Sequence, residues 1–253
     1  SEALPVRRQS LVFSGLEVVV HNLNRRQRDL KLMEFGKTYH LKGERYSEQE
    51  QLALFLTGNN TTENWLEPTR PVRFHDLAAL VAKVLGLMRV TKIETADADP
   101  SLFEYGIQYW VNKKPIASAG LIKTAITRSM DCRQPVFYAQ FDWKYLLKQY
   151  SSTVEYKEVS RFPEVRRDLS LVLDKSIRFE EIKQLALRTE KQLIQEINVF
   201  DVYEGDNLQG KKAYAVSFTL QDECQTLTDK VIDKTMQRLM ETFERELQAI
   251  IRK

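Results

Sequence analysis

The stretch Val199–Leu220, VFDVYEGDNLQGKKAYAVSFTL, reads as two strands joined by a polar turn, and its alternation decides the fold of the second half of the chain. Side chains alternate across a pleated strand, so the second strand sets Tyr214, Val216, Phe218 and Leu220 on one face and Ala213, Ala215, Ser217 and Thr219 on the other. The first of these is a core face. On the same rule the first strand puts Phe200 and Val202 on one side and Asp201 and Tyr203 on the other. That leaves a sheet face of small residues, one acid and one exposed aromatic.

Around this hairpin the periodicity predicts a strand at Val165–Leu173, a helix over Arg178–Thr189, strands at Ile194–Tyr203 and Ala213–Leu220, and a helix over Asp229–Leu247. The long helix carries Ile232, Met236, Leu239, Phe243 and Leu247 at helical spacing, with Thr228 as its N-cap, and a short end strand follows at Ala249–Arg252. This order, βαββαβ, is the ferredoxin-like plan, whose two helices cover one face of the sheet. Leu169, Leu171 and Leu173 then face the helices, and Asp168, Ser170 and Val172 join Asp201, Tyr203, Ala213, Ala215 and Ser217 on the open face. A planar ligand fits against Tyr203 with Asp201 accepting hydrogen bonds from its edge, as splayed nucleobases do on sheet platforms. The alternative is that Tyr203 caps a sheet end and the face is solvated or covered by another domain.

The first half has its own pattern. Leu16, Val19, Val20 and Leu23 mark one helix, and Phe74, Leu77, Ala78, Val81 and Leu85 a second. Strands are expected at Leu30–Leu41 and Gln51–Thr57, with a hairpin over Tyr105–Ile122 that turns around Asn112–Pro115. Antiparallel strands backed by helices, without regular alternation of the two, give an α+β fold. The polar tract Gln149–Ser160, QYSSTVEYKEVS, follows an apolar helical segment and sets the boundary between domains 1–155 and 156–253.

Composition narrows the function. The chain has 253 residues, 43% of them hydrophobic, enough for two cores, and its 9 Gly and 7 Pro exclude collagen-like and low-complexity classes. Apolar runs such as Leu52–Leu56 are too short to span a bilayer, and no secretory leader is visible. The sequence begins at Ser1 in what reads as folded chain, as a piece of a longer polypeptide would. Cys132 and Cys224 form no disulfide framework, which fits a reducing cytoplasm. His21, His40 and His75 lack metal-ligand spacing, so no metal site is expected, and GxSxG, GxGxxG and GxxxxGK[ST] are missing. Residues 160–253 carry 16 Lys and Arg against 17 Asp and Glu, a net of −1, which leaves +4 for the first 159. A second domain that binds RNA therefore cannot lean on a large nonspecific phosphate attraction, and Arg166, Arg167, Lys211, Lys212 and Arg252 are its available cations.

RFPEVRRDLSLVL at Arg161–Leu173, FDVYEG at Phe200–Gly205 and the LTD of Leu227–Asp229 together resemble the ferredoxin-fold anticodon-binding domain that ends bacterial phenylalanyl-tRNA synthetase beta subunits. HNLNRRQRDLKLMEFGKTY at His21–Tyr39 and PVFYAQFDWKYLL at Pro135–Leu147 resemble the class II synthetase-like module that precedes it. The resemblance implies a pseudo-catalytic module packed against the catalytic alpha subunit. Here the strand Leu32–Thr38, LMEFGKT, lacks the Arg-x-Glu that active class II synthetases use on ATP, and no Gly-rich segment ending in Arg appears. This also argues against the single-chain organellar enzyme. Ser118–Ala125, SAGLIKTA, departs from the family's Gly-rich, His-Pro-containing form, and no role is assigned to it.

Residue by residue, the resemblance places the first anticodon base on Ser170, Asp201, Tyr203, Ala213 and Arg252. Tyr203 would stack, Asp201 would accept from the base's donor edge, and Ser170 and Ala213 would shape the floor. It further implies no catalytic residue, metal or cofactor in this chain, with ATP and magnesium serving the holoenzyme. The implied partners are tRNA(Phe) and the alpha subunit, in a cytoplasmic heterotetramer of two alpha and two beta subunits. Editing belongs to earlier modules. The rival readings are a structural interaction protein and an amino-acid-binding regulatory domain on the same ferredoxin-like fold.

Overall fold

The computed structural model describes residues 8–43, 45–153, 156, 158–205, 208 and 210–252. It forms two compact units, Ser1–Val154 and Glu155–Lys253. Ser1 and the sequence-based boundary at residue 155 lie outside the described residues.

The first unit runs α1 (Val12–Leu23), β1 (Leu30–Lys42), β2 (Arg45–Thr57), α2 (Phe74–Leu87), β3 (Glu94–Asp97), β4 (Phe103–Val111), β5 (Lys114–Ile122), α3 (Thr124–Ser129), β6 (Val136–Asp142) and α4 (Trp143–Gln149). Its strands form one antiparallel sheet in the order β1-β2-β6-β5-β4-β3. Sequence periodicity starts β2 at Gln51, but the strand begins at Arg45, because the polar stretch RYSEQE pairs with β1 all the way to Lys42. The turn of the β4–β5 hairpin is tighter than expected: Asn112 and Lys113 both take positive φ, 50° and 62°, as a two-residue hairpin turn requires, and Pro115 already lies in β5.

The central strands of this sheet are buried on both faces. Leu52, Leu54 and Leu56 of β2 and Phe137, Ala139 and Phe141 of β6 pack with Leu77, Val81 and Leu85 of α2. The alternate residues, Ala53, Phe55, Val136 and Tyr138, pack with Leu11, Leu16 and Val19 on and before α1. Helix α1 approaches so closely that a Cβ on Gly15 would stand 2.0 Å from the Phe55 ring. The start of α2 is held by charge: Arg70 donates to both oxygens of Asp76 at 2.7 and 2.8 Å, and the Arg73 N–H donates to Asp76 at 2.8 Å. Those bonds, the Arg70 guanidinium first, hold the Asp76 carboxyl at about 2, well below the usual carboxylate range.

The second unit runs β7 (Val165–Asp174), α5 (Phe179–Thr189), β8 (Ile194–Tyr203), β9 (Lys211–Leu220), α6 (Asp229–Leu247) and β10 (Ile250–Arg252). The strands form an antiparallel sheet in the order β10-β7-β9-β8, which is the βαββαβ ferredoxin plan. Leu171, Leu173, Tyr214, Val216, Phe218 and Leu220 meet Ile182 and Leu185 of α5 and Ile232, Met236, Leu239 and Phe243 of α6 in a single core. Thr228 occupies the N-cap position of α6 with extended backbone angles, but its side chain makes no capping bond. At the other end Gln248 takes a left-handed φ of 51°, which turns the chain from α6 into β10.

The β8–β9 register shifts at two places, between Ile194 and Glu196 and again at Phe200, and the second of these bears on the open face. The β8–β9 register shifts between Val199 and Asp201, so Val199 pairs with Val216 and Asp201 with Ala215, while Phe200 has no partner. This β-bulge removes Phe200 from the side of Val202, where alternation puts it, and turns it to the open face. There the Arg166 guanidinium lies 5.2 Å from its ring centroid.

Candidate functional site

Residues directly opposite one another in a sheet point to the same face, so the pairing register maps the open face of the second unit without further assumption. Arg252 of β10 pairs with Ser170 of β7, Ser170 with Ala215 of β9, and Ala215 with Asp201 of β8. These four form one cross-strand row. The next row is Ile250, Val172, Ala213 and Tyr203. All five sequence-predicted site residues therefore lie on one face in two adjacent rows. At the usual strand spacing of about 4.8 Å, each row is about 14 Å wide and the two are about 7 Å apart.

The pattern of burial explains what such a face offers. Ser170, Ala213 and Ala215 are half-buried and short, which makes the middle of the sheet a shallow floor. Asp201 and Arg252 are exposed on opposite sheet edges, and Tyr203 is 49% exposed beside Asp201. Val172 departs from the expectation of an accessible face, being only 4% exposed between its neighbours Ala213 and Ile250. An aromatic ring beside a flat floor, with an acceptor at one side and a cation at the other, suits a planar group that carries hydrogen-bond donors and is attached to an anion.

Sequence reasoning missed Phe200, which the bulge hides. It put Ala215 on the open face and counted Arg166 among the cations without giving either a place in the site; Ala215 sits inside the first row, and Arg166 reaches Phe200 from β7 while paired to Asp168 at 2.9 Å. Nothing in a period of two announces a bulge. A cavity of about 570 Å³ in this unit lies at the other end of β8, against Phe162, Gln195 and Gln221, away from the open face.

In the first unit, Leu32–Thr38 lies within β1, where Glu34 is paired with Arg8 at 2.6 Å and Thr38 is buried beside His40. Ser118–Ile122 completes β5, and a Cβ on Gly120 would stand 2.5 Å from the Tyr105 carbonyl, so strand packing accounts for that glycine. Of the two thiols, Cys132 is buried, with its pKa raised by that burial, and Cys224 is exposed. Among the described residues no three His, Cys, Asp or Glu side chains are grouped to hold a metal ion, and no helix is long and apolar enough to cross a membrane.

Comparison with known proteins follows the same division. Residues 160–252 match the family described as ferredoxin-fold anticodon binding domain, and residues 1–143 match phenylalanyl tRNA synthetase beta chain CLM domain. The phenylalanine--tRNA ligase beta subunit of Bacteroides fragilis is 40% identical over 266 aligned residues, covering 100% of this chain and 32% of the relative. That of Thermotoga maritima is 28% identical over 248, covering 96% and 31%. The chain thus spans about a third of the length of the curated relatives it matches. Among solved structures, a pyrrolysyl-tRNA synthetase from Desulfitobacterium hafniense is similar over 59% of this chain and 55% of its own, with 14% identity and a TM-score of 0.43.

Proposed function

The chain belongs to the phenylalanyl-tRNA synthetase beta-chain family, and from that premise we propose that its second unit holds the first anticodon base of tRNA(Phe) on the open sheet face. The observation that carries this reading is the gathering of Ser170, Asp201, Tyr203, Ala213 and Arg252 into two adjacent rows of one uncovered face. Tyr203 stacks on the base, and Asp201 accepts from its donor edge. Ser170 and Ala213 keep the floor low enough for the ring to lie down, and Arg252 meets a phosphate. Ala213 contributes only through its backbone and its size, since its side chain has neither donor nor acceptor. A unit of net charge −1 binds RNA weakly by itself, so the rest of the synthetase supplies most of the affinity.

The first unit is proposed to be a non-catalytic module that assembles with the catalytic alpha subunit in the cytoplasm, within a heterotetramer of two alpha and two beta subunits. Adenylate formation needs placed cations on the phosphates. The residues of β1 do not meet that need, since no Arg-x-Glu is present and Glu34 is engaged with Arg8. ATP and magnesium are accordingly assigned to the partner subunit. Phenylalanine-dependent pyrophosphate exchange by this chain alone should stay at background; activity that survives repurification and depends on this chain would overturn the assignment.

The anticodon reading is tested by a double-mutant cycle in the assembled enzyme between Tyr203→Ala and a substitution of the first anticodon base, measured as tRNA dissociation constants at one salt concentration. Tyr203→Ala should cost about 1–3 kcal/mol with the correct base, the range for one base–aromatic stack, and much less with the wrong one. Asp201→Asn should chiefly blur discrimination at that base, because the amide donates where the carboxylate only accepts. Strictly additive losses would mean that Tyr203 and the base do not touch.

A further inference from the structure

Asp201 is flanked by two aromatic rings on the open face, Tyr203 in the neighbouring row and Phe200 at the bulge. Scattered exposed aromatics need no explanation. A strand that breaks its own ladder to deliver one beside a functional row does, because bulges characteristically re-aim a side chain at a site. Without the bulge Phe200 would share a side with Val202, which pairs with core Tyr214. With it, the ring is 51% exposed and one of its faces meets the Arg166 guanidinium at 5.2 Å. Arg166 stands on β7 and reaches across β9 to make this contact, held by Asp168 at 2.9 and 3.4 Å. Ser217 of β9, the partner of Asp168, is short and only 6% exposed, as expected for a residue that such a side chain crosses.

We propose that Phe200 and Arg166 form a second nucleotide subsite, which takes the base next to the one held by Tyr203. The inference rests on the anticodon reading and extends it from one base to two consecutive ones. Tyr203 and Phe200 are three residues apart on an extended strand, about 10 Å at 3.3 Å per residue. Stacked bases rise by only about 3.4 Å, so bases on the two rings are splayed apart with Asp201 between them. Sheet platforms hold single strands in this way, one aromatic to a base. The guanidinium already sits over the ring face, and at 5.2 Å it leaves no room for a base beneath it. The incoming base therefore displaces Arg166, whose side chain is 58% exposed and swings to the phosphate that links the two nucleotides.

The test uses the assembled synthetase and tRNA(Phe) transcripts made abasic at the first anticodon position or at either neighbouring nucleotide, with dissociation constants read at one salt concentration. Phe200→Ala should weaken binding of intact tRNA about fivefold to a hundredfold. The loss should vanish on one of the transcripts lacking a neighbouring base and persist on the one lacking the first anticodon base. Tyr203→Ala should show the reverse dependence. Phe200→Leu keeps an apolar side chain at the bulge and should lose nearly as much binding as the alanine variant. If Phe200→Ala binds like the parent while Tyr203→Ala is impaired, the second subsite is overturned and the anticodon reading stands. If both bind like the parent, both fall. An equal loss on every transcript would make Phe200 a structural residue and would also overturn the subsite.

Discussion

The two sheets of this chain are both antiparallel and both backed by helices, yet one is packed on two faces and the other on one. In the first unit β2 reads LALFLT from Leu52 and is buried at every one of those positions, because α2 takes Leu52, Leu54 and Leu56 while the α1 side takes Ala53 and Phe55. In the second, β9 alternates between core residues and Ala213, Ala215, Ser217 and Thr219. Covering the second face adds apolar burial, at about 25 cal/mol per Å², and removes that face from any ligand. The difference separates a sheet that serves as structure from one that presents a surface, and the family's two matched regions divide at the same place.

The strongest way to break this contrast is to empty the second buried face. Phe55→Ala should cost about 3–5 kcal/mol of the first unit's stability, as for large-to-small changes at a fully buried aromatic. Trp65, Trp110 and Trp143 are the chain's only tryptophans and all lie in that unit, so denaturation followed by their fluorescence reports it separately. A loss below about 1 kcal/mol would mean that the α1 side is not a core. A smaller effect comes from acid. The Asp76 carboxyl has its folded pKa depressed to about 2, so its stabilisation is complete above the unfolded value near 3.8 and is lost as pH falls from about 4 towards 2. With Arg70 partly exposed and the pair screened accordingly, Asp76→Asn should cost about 1–2 kcal/mol at pH 7 and flatten the acid limb of the same fluorescence transition.

The contrast sharpens on the open face. Tyr203→Ala and Asp201→Asn should change the second unit's stability by no more than about 0.5 kcal/mol, measured by amide exchange in α6, since neither side chain belongs to the core. A larger change would make the face structural. Smallest of all is Thr228→Ala, expected to shift α6 by a few tenths of a kcal/mol because no side-chain capping bond is lost. Asp142→Ala, which removes the 2.9 Å bond to the Tyr145 N–H at the start of α4, should cost about 1 kcal/mol by comparison.

What the sequence disclosed follows from what each element buries. Helix α6 and the two faces of β9 were legible because their apolar residues answer to one packing partner. Strand β3, ETAD, was not, since all four residues are exposed and it is held by backbone pairing to β4. The polar half of β2 was missed for the same reason. Thr228 has the right residue type in the right position, but side-chain orientation is decided by neighbours that a capping rule does not include. At Phe200 alternation gave the wrong face, because a bulge is a property of the register between strands, and register is not written in either strand alone.

The closing row of the platform has a consequence in folding time. Ser170 and Arg252 are neighbours across the sheet although 82 positions apart in sequence, whereas only residues 204–210 separate β8 from β9. Local hairpins form early, and contacts that close long loops form late. Strand β10 makes three pairings with β7 after the left-handed turn at Gln248. A nascent or partly opened molecule can therefore hold its helices against a folded core while Arg252 is still unplaced, so that the core matures before the surface it supports.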